Sequence, residues 1–134
     1  MDVVFLDANV LFSAAYRADA GVRRLWRVKR GNLITSAYAV EEAYRNLDEA
    51  AQRQRLQALL RSVRVVPEAR DRRLPNTVQL PEKDRPILLA AIAAGATHLI
   101  TGDVTHFGPY LGRAVEGVLI LRPAQYLARR SPDR

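Results

Sequence analysis

The sequence predicts an α/β fold with three layers, in which a central, mostly parallel sheet is flanked by helices. Short apolar runs suited to buried strands alternate with longer segments whose apolar residues recur at helical spacing. This alternation implies right-handed crossovers and a parallel sheet covered on both faces. A chain of 134 residues, 49% of them hydrophobic, can bury one sizeable core but not two. We therefore expect a single domain over residues 1–134, with residues 129–134 as a flexible tail.

The first half of the chain begins with a short apolar run, residues 3–6, that ends at Asp7. This pattern is typical of a buried strand with a polar residue at its carboxyl end. The elements predicted next are a helix capped by Asn9 and running through Ala15, an amphipathic basic helix over residues 21–30, a strand over 33–35, a helix over 37–47 capped by Ser36, a helix over 50–63 and a weak strand over 64–66.

The second half begins with residues 68–81, whose prolines, charges and lack of periodicity predict a surface loop. Asp84 then precedes Pro86, which suits the first turn of an apolar helix ended by Gly95. The remaining predictions are a helix over residues 87–94, a strand over 98–101 followed by Asp103, a short helix over 106–111, a strand over 118–121 and a terminal helix from about Pro123.

Composition excludes several classes of site and favours an anionic partner. The chain has no cysteine, which excludes disulfides, thiolate catalysis and cysteine-based zinc sites. Its start lacks a basic leader, and its longest apolar stretch, residues 87–96, is far shorter than the ~20 residues of a membrane span. We expect a soluble, cytoplasmic protein with no membrane partner. The net charge is +7, and 19 of the 21 basic residues are arginine, whose planar fork matches phosphate oxygens.

Acidic residues occur where a parallel sheet would gather them. Asp7 and Asp103 follow two predicted strands, and ligands of parallel sheets bind beyond the carboxyl ends of the strands. Asp84 starts a helix that runs back across the sheet, and Glu42 lies at the edge of a helix face. Crowded carboxylates either share a proton or bind a cation. Oxygen ligands without cysteine favour a hard cation, Mg²⁺ or Mn²⁺.

Each of these acids also has a purely structural explanation. Asp7 or Asp84 could cap a helix, Asp103 could fix a turn, and Glu42 could pair with Arg45. Spacing alone does not separate a nuclease from a Mg²⁺-dependent phosphatase or a phospho-receiver domain. The receiver interpretation is weakened because position 9 is not a second aspartate and no partner lysine lies near the last strand.

Three motifs make the chain resemble the PIN-domain proteins. They are LDANVL at residues 6–11, EKDRPIL at 82–88, and TGD at 101–103 followed by HFG at 106–108. Their order and separation match the family, and the similarity extends to the Arg-Pro pair at 122–123. The resemblance implies a compact metal-dependent ribonuclease. Because many prokaryotic members are VapC-type toxins, it also implies an RNA substrate, a cognate antitoxin protein and a homodimer.

The resemblance assigns roles to particular residues. It implies that Asp7, Glu42, Asp84 and Asp103 are the catalytic, metal-binding acids, with Glu41 as an alternative to Glu42. We expect Asn9, Thr101, Arg85 and His106 to support these ligands or to contact substrate. Some family members have a further acid where this chain has Thr105 and His106, so the number of ions, one or two, stays open.

Two questions remain open at this point. A catalytically silent module that binds RNA or protein through the same fold is the alternative function. The basic face of residues 21–30 could contact phosphates or meet an acidic segment of an antitoxin. Trp26 on that segment could stack on a base, although its spacing with Val22 favours a position in the core or an interface.

Overall fold

The computed structural model describes residues 1–28 and 31–129. Its strands are β1 Asp2–Leu6, β2 Gly31–Ser36, β3 Arg64–Val66, β4 His98–Ile100, β5 Ala114–Val115 and β6 Val118–Leu121. Its α-helices are α1 Ala8–Tyr16, α2 Ala37–Arg45, α3 Ala50–Leu60, α4 Arg85–Ala93 and α5 Pro123–Arg129. Two 3₁₀ helices occupy Gly21–Arg27 and Gly108–Tyr110.

The six strands form one sheet in the order β3-β2-β1-β4-β6-β5. Every pairing is parallel except that of β5 with β6, which confirms the predicted α/β class with a mostly parallel sheet. The chain adds strands on one side of β1 and then returns to place β4 on its other side. The boundary between β1 and β4 is therefore the switch point where open α/β sheets bind ligands.

The short antiparallel strand β5 was missed by the sequence analysis. Glu116 and Gly117 both have positive φ angles, 48° and 85°, as expected of a two-residue hairpin turn. Two residues are too few to show an alternation of apolar and polar side chains, so periodicity could not reveal this strand.

The helix starts show where capping predictions succeed and fail. The Ser36 side chain accepts a hydrogen bond from Ala39 N at 3.2 Å, which confirms Ser36 as the N-cap of α2. The prediction that Asn9 caps α1 is wrong. Asp7 is the N-cap, and its carboxylate accepts a hydrogen bond from Ala8 N at 2.6 Å. The motif contains two good capping residues, and the one at the strand end starts the helix.

The predicted basic α-helix is a seven-residue 3₁₀ helix, and residues 29 and 30 of that prediction lie outside the described residues. Its N-cap position, Ala20, has no side-chain oxygen to bind the first free amides. The predicted flexible tail, apart from Arg129 at the end of α5, also lies outside the described residues.

Several arginines bind the free carbonyls at helix ends. Arg55 donates to Ala15 O at 2.8 Å and to Tyr16 O at 2.9 Å, at the carboxyl end of α1. Arg53 donates to Tyr44 O at 2.7 Å, and its guanidinium lies 4.9 Å from the Tyr44 ring centre. These contacts satisfy unpaired carbonyls and complement the helix dipole. Part of the arginine-rich composition therefore stabilises the fold.

Within the described residues, the helices are too short or too polar for any of them to cross a bilayer.

The segment around Trp26 is attached to the rest of the protein through the indole. Trp26 is partly buried against the core, and its Nε1 donates to Leu59 O at 3.0 Å. This contact favours the structural interpretation of Trp26 over stacking on a base.

We expect Trp26→Phe to lower the free energy of unfolding by about 1–2 kcal/mol, since it removes this hydrogen bond and part of the packing. Urea titration followed by circular dichroism measures the change. Arg24→Ala, at an exposed position of the same 3₁₀ helix, should alter stability by less than about 0.5 kcal/mol. Equal stability of Trp26→Phe and the wild type would show that the indole is not a structural anchor.

Candidate metal centre

The carboxyl edge of the sheet contains a pocket of about 420 Å³ at the β1–β4 switch point. The pocket, called the acidic pocket below, is lined by the four acids that the sequence analysis selected: Asp7, Glu42, Asp84 and Asp103. Each comes from a different element. Asp7 follows β1, Glu42 lies in α2, Asp84 precedes α4, and Asp103 lies in the loop after β4.

Asp7 is the most enclosed of the four acids, with 4% of its surface exposed. Its Oδ2 accepts hydrogen bonds from Thr101 Oγ1 at 2.8 Å and from Asn9 Nδ2 at 3.3 Å. Burial raises the pKa of Asp7 to about 6, although the hydrogen bonds from Thr101 and Ala8 oppose the shift. The charges of Asp84 and Asp103 raise the pKa further. Nearby positive charge would therefore stabilise the ionised form.

Thr101 and Asn9 join the β1 and β4 sides of the pocket. Thr101 is fully buried, and its hydroxyl accepts a hydrogen bond from Asp103 N at 3.1 Å while donating to Asp7. Asn9 Oδ1 accepts from Gly102 N at 2.7 Å. A Cβ atom at Gly102 would lie 3.2 Å from that oxygen, so the close approach favours glycine. Both side chains thus hydrogen-bond to Asp7, and their role in supporting a metal ligand stays a prediction.

Asp103 is held by its own loop. Its Oδ1 accepts hydrogen bonds from the backbone amides of Thr105 at 3.0 Å and His106 at 2.9 Å, and its Oδ2 lies 2.8 Å from His106 Nδ1. Burial opposes ionisation, but the hydrogen bonds from His106 and Thr105 outweigh it and lower the pKa of Asp103. Asp103 thus fixes a turn and lines the acidic pocket at the same time.

Asp84 occupies the N-cap position of α4 but makes no capping hydrogen bond. Its Oδ2 is buried and has no hydrogen-bond partner, although it lies 3.0 Å from His106 Nδ1. The same nitrogen lies 2.8 Å from Asp103 Oδ2, so it cannot fully satisfy both carboxylates. Burial raises the pKa of Asp84, and the charges of Lys83 and His106 oppose the shift. A buried carboxylate oxygen that has no hydrogen-bond donor is a good candidate for a cation ligand.

Glu42 is less tightly held than the three aspartates. It is half-buried, and its Oε1 accepts from Arg45 at 2.7 Å, so the pairing considered in the sequence analysis is present. Its side chain nevertheless lines the acidic pocket. Glu41, the alternative, is exposed and is not among the residues lining that pocket.

Arg85 is not brought together with the acids. Its Nε donates to Leu80 O at 3.1 Å, and its side chain lines a different cleft. Asp84 and Arg85 are consecutive at the start of a helix, where side chains of neighbouring residues diverge by about 100°. This position does not fit a role for Arg85 in supporting the metal ligands, whereas its contact with substrate stays a prediction.

The wall of the acidic pocket also includes residues that were not predicted from the sequence, among them Phe12, Tyr38, Asn46 and Lys83. The Tyr38 hydroxyl donates to Lys83 O at 2.7 Å and so connects α2 to the turn before α4. A signal was available, because Tyr38, Glu42 and Asn46 are spaced four residues apart and share one helix face.

The donor set suits a divalent cation. Ligand atoms of Asp84, Asp103 and His106 all lie within 4.8 Å of one another. Carboxylate oxygens with one imidazole fit Mg²⁺ or Mn²⁺ better than soft metals. The unpaired Asp84 oxygen and the raised pKa of Asp7 both indicate that positive charge compensates these carboxylates only in part.

Comparisons with known proteins give two findings. The sequence model of a family described as PIN domain matches residues 3–105. Among solved structures, the crystal structure of VapBC2 from Rickettsia felis, bound to a DNA fragment from their promoter, contains a chain that is 14% identical and aligns with a TM-score of 0.61. The match covers 90% of this chain and 98% of the other, and at this identity it shows the fold alone. No curated protein matches the chain.

We expect Asp7→Asn to stabilise the metal-free protein at neutral pH. Because the pKa of Asp7 rises from 3.8 to about 6 on folding, its contribution to stability is complete below pH 4 and is lost as the pH rises through 6. Removing the charge should raise the free energy of unfolding at neutral pH by at most about 3 kcal/mol. Urea titrations between pH 4 and 8 in EDTA measure the effect.

Asp103→Asn is the matched control, because the pKa of Asp103 is lowered and its ionised form is stabilising. That variant should lose stability at neutral pH. If both variants were more stable than the wild type, general repulsion among the carboxylates, rather than burial of Asp7, would dominate the change in stability.

Proposed function

This chain belongs to the PIN-domain family, and on that premise we propose that it is a metal-dependent endoribonuclease that hydrolyses RNA phosphodiester bonds. The observation that supports the proposal most directly is the acidic pocket, which is lined by carboxylates from four separate elements. Folding brings these like charges together at a cost, and a site for divalent cations explains why they converge.

We propose that one or two Mg²⁺ or Mn²⁺ ions are held by Asp7, Glu42, Asp84 and Asp103. When bound, such ions activate water as a nucleophile and offset the charge that develops on the leaving oxygen. Hydrolysis of this kind leaves products with 5′-phosphate ends.

The chain's own residues prepare this site by fixing the carboxylates before substrate arrives. Thr101 and Asn9 orient Asp7, and the amides of Thr105 and His106 orient Asp103. Preorganised groups need little rearrangement during reaction, which favours catalysis. His106 Nδ1 lies 2.8 Å from Asp103 Oδ2 and 3.0 Å from Asp84 Oδ2, so the imidazole joins the two carboxylates.

Three features favour RNA as the substrate. Family membership is the first, and the net charge of +7 is the second. The third is the wall of the acidic pocket, which includes the partly buried aromatic side chains of Phe12 and Tyr38 next to the acids. Aromatic faces of this kind stack on unpaired bases without regard to sequence.

A partner protein is the second part of the proposal. The structure from Rickettsia felis is a VapBC2 complex. By analogy of fold, we propose that this chain is the toxin of a toxin–antitoxin pair, that a cognate antitoxin covers the acidic pocket, and that the toxin forms a homodimer.

We expect Asp84→Asn to lower the rate of RNA cleavage at least about 100-fold, because a ligand charge is lost while the size of the side chain is kept. Asp7→Asn and Asp103→Asn should behave alike. The assay uses a structured RNA with Mn²⁺ titrated from zero, and the 5′ ends of the products are identified. In parallel, Mn²⁺ at 100 times its Kd should stabilise the wild type by about 2.7 kcal/mol.

Glu41→Gln is the control, because it removes one carboxylate next to Glu42 but outside the acidic pocket, and it should keep full activity. Undiminished cleavage in all three aspartate variants would refute the site. A wild type that binds RNA but cleaves none at any Mn²⁺ or Mg²⁺ concentration would identify the catalytically silent module instead.

The toxin role has its own test. Induced expression of the wild type in a bacterial host should arrest growth, and Asp84→Asn should not, because cleavage of cellular RNA causes the arrest. Co-expression of the product of the gene immediately upstream should restore growth. Normal growth on expression of a wild type that is active in vitro would separate ribonuclease activity from a toxin role.

A further inference from the structure

A second cleft, of about 850 Å³, lies on the other side of the turn that precedes α4. We call it the arginine cleft. Its wall includes three arginines, two amide side chains and a leucine, namely Arg72, Arg73, Arg85, Asn76, Gln79 and Leu74. All but the leucine are exposed.

The arginine cleft is lined by positively charged but not by negatively charged side chains. None of the residues that line it is acidic, and no salt bridge found in the described part of the chain involves Arg72, Arg73 or Arg85. Three like charges around one cleft repel one another, so an anion bound there would be stabilised. Arg72 and Arg73 therefore differ from Arg53 and Arg55, whose guanidinium groups bind helix carbonyls. Arg85 binds the Leu80 carbonyl through its Nε atom alone.

Part of the cleft wall is anchored to the rest of the protein. Val78 and Leu80 anchor the loop in the core. The Tyr110 hydroxyl accepts a hydrogen bond from Gln79 N at 2.6 Å, and Arg85 Nε donates to Leu80 O at 3.1 Å. A site that is already ordered loses little entropy when a ligand binds.

The arginine cleft and the acidic pocket share one turn. The amides of Asp84 and Arg85 both donate to Pro81 O, at 2.9 and 3.3 Å. Asp84 lines the acidic pocket, and the next residue, Arg85, lines the arginine cleft. A linear ligand that crosses this turn would contact both surfaces.

We propose that the arginine cleft binds the sugar-phosphate backbone of the RNA strand whose scissile phosphate lies in the acidic pocket. The inference rests on the proposed ribonuclease function and adds the path of the substrate. Guanidinium forks bind phosphate oxygens in pairs, while Asn76 and Gln79 can hydrogen-bond to sugars or phosphates. The positive charge of the cleft would also offset the repulsion between the acidic pocket and a polyanion.

The test compares two triple variants with the same change in net charge. The first, Arg72→Ala/Arg73→Ala/Arg85→Ala, removes the cleft arginines. The second, Arg24→Ala/Arg27→Ala/Arg61→Ala, removes three exposed arginines outside both the cleft and the acidic pocket. Because two of the latter lie on the basic segment of residues 21–30, the comparison sets the two candidate phosphate surfaces against each other.

Binding is measured by fluorescence anisotropy with a labelled 12-nucleotide single-stranded RNA in EDTA, which prevents cleavage. The cleft variant should bind this RNA at least about tenfold more weakly than the wild type. The slope of log affinity against log salt concentration should become less steep by about 2, because three phosphate contacts are lost. The control variant should stay within about twofold of the wild type. With Mn²⁺ present, the cleft variant should show a raised KM on this RNA, an unchanged kcat, and unchanged cleavage of a trinucleotide.

Arg72→Glu/Arg73→Glu, which keeps Arg85 and its hydrogen bond to Leu80, guards against misfolding and should weaken binding further. Equal losses in the two triple variants, or no loss in the cleft variant, would overturn the inference while leaving the ribonuclease function intact if the wild type cleaves RNA. Binding of a polyglutamate peptide in place of RNA would assign the cleft to an acidic protein partner. A wild type that neither binds nor cleaves RNA would overturn both proposals.

Discussion

Repulsion among the carboxylates at the β1–β4 switch point is the constraint around which the neighbouring loops are arranged. Asp7, Asp84 and Asp103 are buried or half-buried within one pocket, and each is treated differently by its surroundings. Asp103 is stabilised as an ion by hydrogen bonds, Asp7 is destabilised by burial, and Asp84 keeps an oxygen with no hydrogen-bond partner. Thr101 holds Asp7 and the Asp103 loop together despite their repulsion. In the metal-free fold, the negative charge of these carboxylates is therefore only partly compensated.

Much of the fold could be predicted from the sequence because its strands are strongly apolar and its helices are amphipathic. Strands β3 and β6 have the predicted bounds, and the loop over residues 68–81 has no regular strand or helix. The failures have local causes. Periodicity cannot separate a 3₁₀ helix from an α-helix over seven residues, as at Gly21–Arg27, or detect a two-residue strand such as β5. Neither can it choose between Asp7 and Asn9 as the cap of α1.

The acidic pocket was more predictable than its surroundings. Parallel topology alone directs Asp7 and Asp103 to one edge of the sheet, since both follow neighbouring strands. The directions of side chains at the start of a helix depend on the turn before it, so Arg85 could not be separated from Asp84 by sequence. Tyr38 and Lys83 meet through a hydroxyl–carbonyl hydrogen bond between distant segments, which no local pattern encodes. The choice of RNA among phosphate esters rests on family membership.

The turn over residues 81–85 also limits how this protein can evolve. The Pro81 carbonyl accepts hydrogen bonds from the amides of two successive residues, Asp84 and Arg85. The side chain of the first lines the acidic pocket, and that of the second lines the arginine cleft. Inserting a single residue after Asp84 would rotate the rest of α4 by about 100° relative to the carboxylate. The apolar face of the helix, including Ile87 and Leu88, would then leave the core. A change of length in this segment would therefore destabilise the fold.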